Sequence, residues 1–225
     1  MAADLTVACV YRPGGGFSDE YVYRLRDTVK RNCRVDHRFV CLTNQKLKNV
    51  ETRPLLKNWP GYWAKLELFR SGLFEGRVFY LDLDTVLLND CTDIMSAEYE
   101  FACGTSWKPS ADGDKYVASA VMGWNGYLDL SHVYERFKPS VIPDYEQSWK
   151  RWGDQGWLQD NLERPFESLL NLWPERIVHT KTHIWGSTKN HMAVPPAKAS
   201  IVAFSGRPRP HQLPPESPLY KAWVN

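Results

Sequence analysis

Short apolar blocks alternate with polar, glycine-rich breaks along most of the chain, and their spacing predicts an alternating β/α order. Leu5–Tyr11 (LTVACVY) reads as a first buried strand, followed by a PGGG turn. Ser18 is placed to cap a helix whose first turn holds Asp19 and Glu20, and Val22, Leu25 and Val29 keep helical spacing to about Asn32. His37–Leu42 (HRFVCL) then reads as a second strand, completing a β-α-β unit. Trp63, Leu66, Phe69 and Leu73 mark one face of another helix, ended by Gly72 or Gly76. Strands are expected at Tyr99–Gly104, Tyr116–Trp124 and Ser200–Phe204, and helices at Leu128–Phe137 and Asp154–Leu162. From Val194 onward prolines at 195, 196, 208, 210, 214 and 215 leave a loop-rich end. No repeat, linker or low-complexity block interrupts the order, so the expectation is one α/β domain over residues 1–225 with a mostly parallel sheet.

The segment Arg77–Asn89, RVFYLDLDTVLLN, changes the picture from fold to chemistry. Val78 to Leu81 suit a strand buried on both faces, yet Asp82 and Asp84 follow directly. Residues two apart on a strand point the same way, so the two carboxylates are expected to converge. Uncompensated burial of such a pair is costly, so they need water, a cation or a hydrogen-bond partner. The carboxyl end of a strand is where open α/β sheets bind ligands. Two hard oxygen donors there suit Mg²⁺ or Mn²⁺ shared with substrate phosphates. A pair of capping or salt-bridged loop aspartates is the structural alternative.

Composition narrows the class. A chain of 225 residues with 43% hydrophobic content has ample material for a core. A net charge of +2 gives no electrostatic case for a dedicated nucleic-acid binder. There is no run of eighteen apolar residues to span a membrane, and the first residues, MAADLTVACVY, lack a signal-peptide layout. Cys9, Cys33, Cys41, Cys91 and Cys103 show no CxxC spacing, which suits buried free thiols and a cytoplasmic location.

The chain resembles a known family in several segments that occur in the family's order. KLELFRSGLFEGRVFYLDLDTVLLND, with Lys65 ahead of the DxD pair Asp82 and Asp84, is similar to the core of the glycogenin- and LgtC-like family 8 glycosyltransferases. VASAVMGWNG at 117–126 resembles that family's FNSGVMLIN segment, and GDQGWLQ at 153–159 its DQ segment. IVAFSGRPRPH at 201–211 resembles the closing HFxGxxKPW segment. The resemblance implies a GT-A fold, a Rossmann-like domain for nucleotide-diphospho-sugars, and transfer of a hexose with retention from a UDP-linked donor. It further implies that Asp82 and Asp84 hold Mn²⁺ or Mg²⁺. Lys65 and Arg209 would place positive charge near the phosphates, and Gly206 would let the backbone approach them. Ala8, Cys9, Val10 and Tyr11 would line the nucleoside pocket, with Leu83 and Ser119 also on the donor side. Asp154 would bind donor-sugar hydroxyls, and Gln155 would lie by the reacting carbon.

Four departures from the family pattern bear on the site. The family's metal-ligating histidine is matched by Ala203, its FNSG asparagine by Ala118, its lysine by Arg209 and its tryptophan by His211. His211 is the foremost candidate third ligand, with His183, His191 or water as alternatives. Trp107, Trp124 and Trp185 are candidates to face a ligand, and the Gly14–Gly16 run lacks the lysine and hydroxyl of a P-loop. DLDTV at 82–86 also fits the nucleophile motif of haloacid-dehalogenase-like phosphatases, although that motif normally opens its fold and the late GDxxxD segment is missing. Ala118 and Ala203 keep open a catalytically silent sugar-nucleotide binder. The acceptor (glycan, protein side chain or modified nucleic-acid base) and the oligomeric state are not named by these residues.

Overall fold

The structure, a computed structural model, describes residues 4–105, 116–146 and 153–225. Its central sheet is ordered β3-β2-β1-β4-β7-β6-β8. Here β1 is Leu5–Val10, β2 His37–Leu42, β3 Glu51–Arg53, β4 Arg77–Leu81, β6 Phe101–Thr105, β7 Val117–Asn125 and β8 Glu167–Ser168. β1 pairs in parallel with β2 and β4, and β2 with β3. β7 runs antiparallel between β4 and β6, and β6 pairs in parallel with β8. A second sheet, β5-β10-β9, joins Val86–Leu87, Ile201–Ala203 and Ile177–His179.

Alternation along the strands sends side chains into two cores. From β1 and β4, Leu5, Val7, Cys9, Phe79 and Leu81 pack on one face with helices α1 (Asp19–Asn32), α2 (Thr92–Ser96) and α7 (Pro218–Val224). Ala8, Val78 and Tyr80 join the other core, with the 3₁₀ helix Gly61–Phe69 and helices α3 (Ser131–Glu135), α4 (Ile142–Glu146) and α5 (Asp154–Asn161). Coverage of both faces explains why the strands read as nearly continuous apolar runs. All five cysteines are free and buried. No helix among the described residues is long and apolar enough to cross a membrane.

Two local expectations are corrected. The segment 61–69 is a 3₁₀ helix that stops before Arg70, not a helix running to Gly72 or Gly76. Trp63 to Phe69 are all buried, Lys65 and Glu67 included, and within the helix only Gly61 and Tyr62 are exposed, so the one-sided spacing misstates its surroundings. Ser18 occupies the cap position of α1, yet its side chain makes no capping hydrogen bond.

Glu67 explains how this short helix shapes the site. It is fully enclosed, and its carboxylate accepts backbone N–H groups from Leu56 at 2.6 Å, Lys57 at 3.0 Å and Asn58 at 2.8 Å. Those bonds fix the approach loop, including Asn58 in a left-handed conformation (φ 49°), and Asn58 in turn accepts from Arg12 Nε at 3.2 Å. Glu67→Ala is expected to leave three part-buried backbone donors without their acceptor and cost about 2–3 kcal/mol, measured by denaturant unfolding. A loss below about 1 kcal/mol would contradict this role for Glu67.

Candidate functional site

A cavity of about 550 Å³ opens at the carboxyl ends of β1 and β4, the edge at which ligands bind open α/β sheets. Beyond Leu81 the chain does not continue as a strand. It turns, with Thr85 N–H donating to the Asp82 carbonyl at 3.0 Å, while Asp82 N–H is tied to Ala120 on β7 at 2.9 Å. The two aspartates therefore reach the cavity through a turn, a correction to the strand alternation expected from spacing.

At the cavity floor Lys65 is almost fully enclosed, which penalises its charge, but two carboxylates hold it protonated. Its Nζ lies 3.0 Å from Asp82 and 3.0 Å from Asp154, and it donates to Ser119 Oγ at 2.9 Å. Ser119 Oγ in turn donates to Asp154 at 2.6 Å. Burial lowers the ammonium pKa, yet Asp154 and Asp82 together push it above the ordinary lysine value. Tyr80 hydroxyl, two residues earlier on β4, donates to Asp82. Asp154 begins α5 but does not cap it; Gly153 occupies the cap position and makes no side-chain cap bond.

Asp84 is placed differently. It is buried at 7% exposure, and among the described residues no ion pair reaches it. Burial first, and the Asp82 charge second, raise its pKa to about 7, opposed by Arg209. Burial also raises Asp82, opposed by Lys65. A buried carboxylate beside a second one fits a hard divalent ion.

The opposite wall joins the two ends of the chain. Arg209 donates from Nη1 to the Gly15 carbonyl, and its guanidinium lies 3.7 Å from the Phe17 ring centroid. Its Nε is buried without a hydrogen-bond partner among the described residues. Gly16, at φ 86°, admits this approach, because a Cβ there would come within 3.1 Å of Arg209 Nη1.

Of the residues expected from sequence, Lys65, Asp82, Leu83, Asp84, Ser119, Asp154, Gln155, Gly206, Arg209 and Val10 all line the cavity. Ala8 and Cys9 do not; both are fully buried within β1, and Tyr11 is buried beside the cavity without lining it. The loop past the strand, Arg12 to Gly15, forms that wall instead. His211 is not in the lining either: its Nδ1 is hydrogen-bonded to Tyr21, and its ring packs against Trp223. No group of three or more His, Cys, Asp or Glu side chains among the described residues is gathered as a metal shell, so His211 is not brought to the aspartate pair. Trp124 and Trp185 are core residues packed on Phe101 and Phe204, and Trp107 lies outside the described residues.

Sequence reasoning missed Arg12, Phe17, Tyr62, Tyr80 and Ser205, all of which line the cavity. Arg12 and Phe17 flank the glycine run, a signal present in the chain but unused. His179 was missed as well; it is the cross-strand neighbour of Ala203, and its Nε2 lies 2.9 Å from Ser205 Oγ. Burial and the adjacent His183 and Lys181 lower its pKa to about 4, so the imidazole is neutral.

The raised pKa of Asp84 sets a pH dependence. Between the ordinary carboxylate value near 4 and about 7, the folded chain holds a proton that the unfolded chain releases. Stability is therefore present at low pH and falls as pH rises through that window. In chelator-treated protein, Asp84→Asn is expected to flatten the fall in melting temperature between pH 5 and pH 8, roughly the window set by those two values. Identical pH profiles for variant and wild type would contradict the placement of Asp84.

Comparison with solved structures shows the same architecture. No protein-family model matches the sequence, and no curated protein matches it. A structure of the galactosyltransferase LgtC with donor and acceptor sugar analogs matches with a TM-score of 0.61 at 12% identity, over 97% of this chain and 95% of that one. The glycosyltransferase GlyE of Streptococcus pneumoniae TIGR4 matches with a TM-score of 0.62 at 14% identity, over all of this chain but 61% of GlyE. The bifunctional glycosyltransferase WbbM matches with a TM-score of 0.58 at 14% identity, over 50% of its own length. At these identities the likeness is one of fold: the chain shares the GT-A-like fold of these glycosyltransferases.

Proposed function

We propose that this chain is a glycosyltransferase that moves a hexose from a UDP-linked sugar to an acceptor, with retention of anomeric configuration. One observation carries the reading. In a GT-A-like fold, Lys65, Asp82, Ser119 and Asp154 form one buried charged cluster, with Asp84 and Arg209 also in the cavity wall. Buried charge on that scale is costly for stability alone and suits a site that binds a charged ligand.

In this reading Asp82 and Asp84 hold Mn²⁺ or Mg²⁺, which when bound neutralises charge on the departing diphosphate. A two-carboxylate shell completed by phosphate oxygens or water suits Mg²⁺ as well as Mn²⁺, and it needs no His211. Arg209 offers its guanidinium to phosphate from the cavity wall, braced by Gly15 and Phe17. Lys65, at the cavity floor, fixes the Asp82 and Asp154 carboxylates, and Ser119 completes that anchorage. With one Asp154 oxygen taken up by Lys65 and Ser119, the other is left to accept donor-sugar hydroxyls. Gln155, next on α5, lies beside the reacting carbon. One LgtC structure is of an active-site glutamine-to-glutamate mutant, which supports a glutamine at such a position. The acceptor is a glycan, a protein side chain or a modified nucleic-acid base.

The donor is identified with a panel of nucleotide sugars and Mn²⁺, read by released nucleoside diphosphate. Turnover of at least one donor, lost on chelation and in Asp84→Ala, is expected; full turnover in the variant and with chelator present would refute the metal-dependent reading. Asp154→Asn is expected to lower turnover at least about tenfold, the factor for losing a charge-assisted hydrogen bond, while UDP affinity stays within about twofold. A fall in UDP affinity in step with rate would assign Asp154 to holding the fold.

A further inference from the structure

Resting on the nucleotide-sugar reading, we propose that Lys181 is a second phosphate-contacting cation, reaching over Gly206 to pair with the diphosphate of the bound nucleotide beside Arg209. Lys181 stands on the π-helical turn Thr180–Ile184, which follows β9 directly. That turn is anchored from below: Thr180 and Trp185 are buried, and Trp185 N–H donates to the Thr180 carbonyl at 2.7 Å. The backbone is thus fixed while the lysine side chain is exposed.

Its ammonium stands beside the cavity loop. A Cβ built on Gly206 would lie 3.4 Å from Lys181 Nζ, and Gly206 itself lines the cavity at φ 65°. No side chain at position 206 therefore separates the ammonium from the cavity mouth. Lys181 is not itself in the wall, but its four-carbon stem spans the remaining step once an anion is present.

The charge is also uncommitted. Lys65 is paired with Asp82 and Asp154, and Lys198 with Glu175, whereas among the described residues no carboxylate pairs with Lys181. Its buried neighbour His179 is neutral and supplies no counter-charge. The charged residues of the wall are Arg12, Lys65 and Arg209 against Asp82, Asp84 and Asp154, which balance before any ligand enters. A nucleoside diphosphate freed of its sugar brings more negative charge than one divalent ion removes, and an unpaired ammonium at the mouth answers the excess as that charge develops.

The test is calorimetric titration of wild type, Lys181→Met and Lys181→Arg with UDP, inorganic pyrophosphate and uridine, in Mn²⁺, at low and high salt. Lys181→Met is expected to bind UDP and pyrophosphate about fivefold more weakly at low salt, the factor for one unit-charge contact across water. The difference should close at high salt, and Lys181→Arg should restore most of it. Uridine affinity and ligand-free melting should not move. Wild-type affinity for UDP and pyrophosphate in Lys181→Met would overturn the assignment alone, as would an equal loss for uridine. Failure of the wild type to bind UDP or pyrophosphate at all would overturn the nucleotide reading and this inference together.

Discussion

The site depends on one constraint: a lysine ammonium almost fully buried at the cavity floor. Lys65 remains charged because Asp82 and Asp154 each lie 3.0 Å away and Ser119 accepts a further N–H. These partners come from the turn after β4, the start of α5 and the middle of β7, so the ion cluster fixes three elements to the 3₁₀ helix that carries the lysine. Removal of either aspartate leaves a buried charge half compensated, which is far costlier than losing a surface pair. The same cluster orients Asp82 and Asp154 toward the cavity, so the residues that hold the fold together there also shape its chemistry.

Asp84 is the counterpart of that satisfied cluster. Asp82 has Lys65 and Tyr80, whereas Asp84 has burial and a like-charged neighbour, and its raised pKa records the imbalance. The facing wall is unbalanced in the opposite sense, with a buried Arg209 Nε that finds no acceptor among the described residues. An acidic group in want of a cation and a basic group in want of an anion, in one cavity, are together complementary to a metal-bound diphosphate. The proposed donor chemistry follows from that pairing more than from any single motif.

Much of the framework was legible because burial leaves a period in the sequence. α1 and β2 fall where the apolar spacing puts them, and the DxD pair stood out as charge against an apolar run. The resemblance to family 8 glycosyltransferases foresaw the GT-A-like fold, and its Lys65, Asp154 and Gln155 do meet in the cavity. What stayed illegible has physical causes. Two- and three-residue strands such as β5, β8 and β9 are too short to show a period, so the second sheet was not anticipated. Trp63 to Phe69 are buried all round, Lys65 and Glu67 included, so the apolar positions that read as one stripe do not mark a single buried face. His211 was set beside the metal by its place in a loop, but its ring is taken by Tyr21 and Trp223 from elements distant in sequence. His179, by contrast, adjoins Ala203 only across strands, a relation no linear motif displays.

The most direct test is a crystal structure of the chain with Mn²⁺ and a UDP-sugar. The account predicts the diphosphate between the Asp82–Asp84 pair and Arg209, with the metal on both aspartates and the sugar against Asp154 and Gln155. A nucleotide bound elsewhere, or an undisturbed Lys65 cluster with the donor and metal absent at saturating concentration, would contradict it.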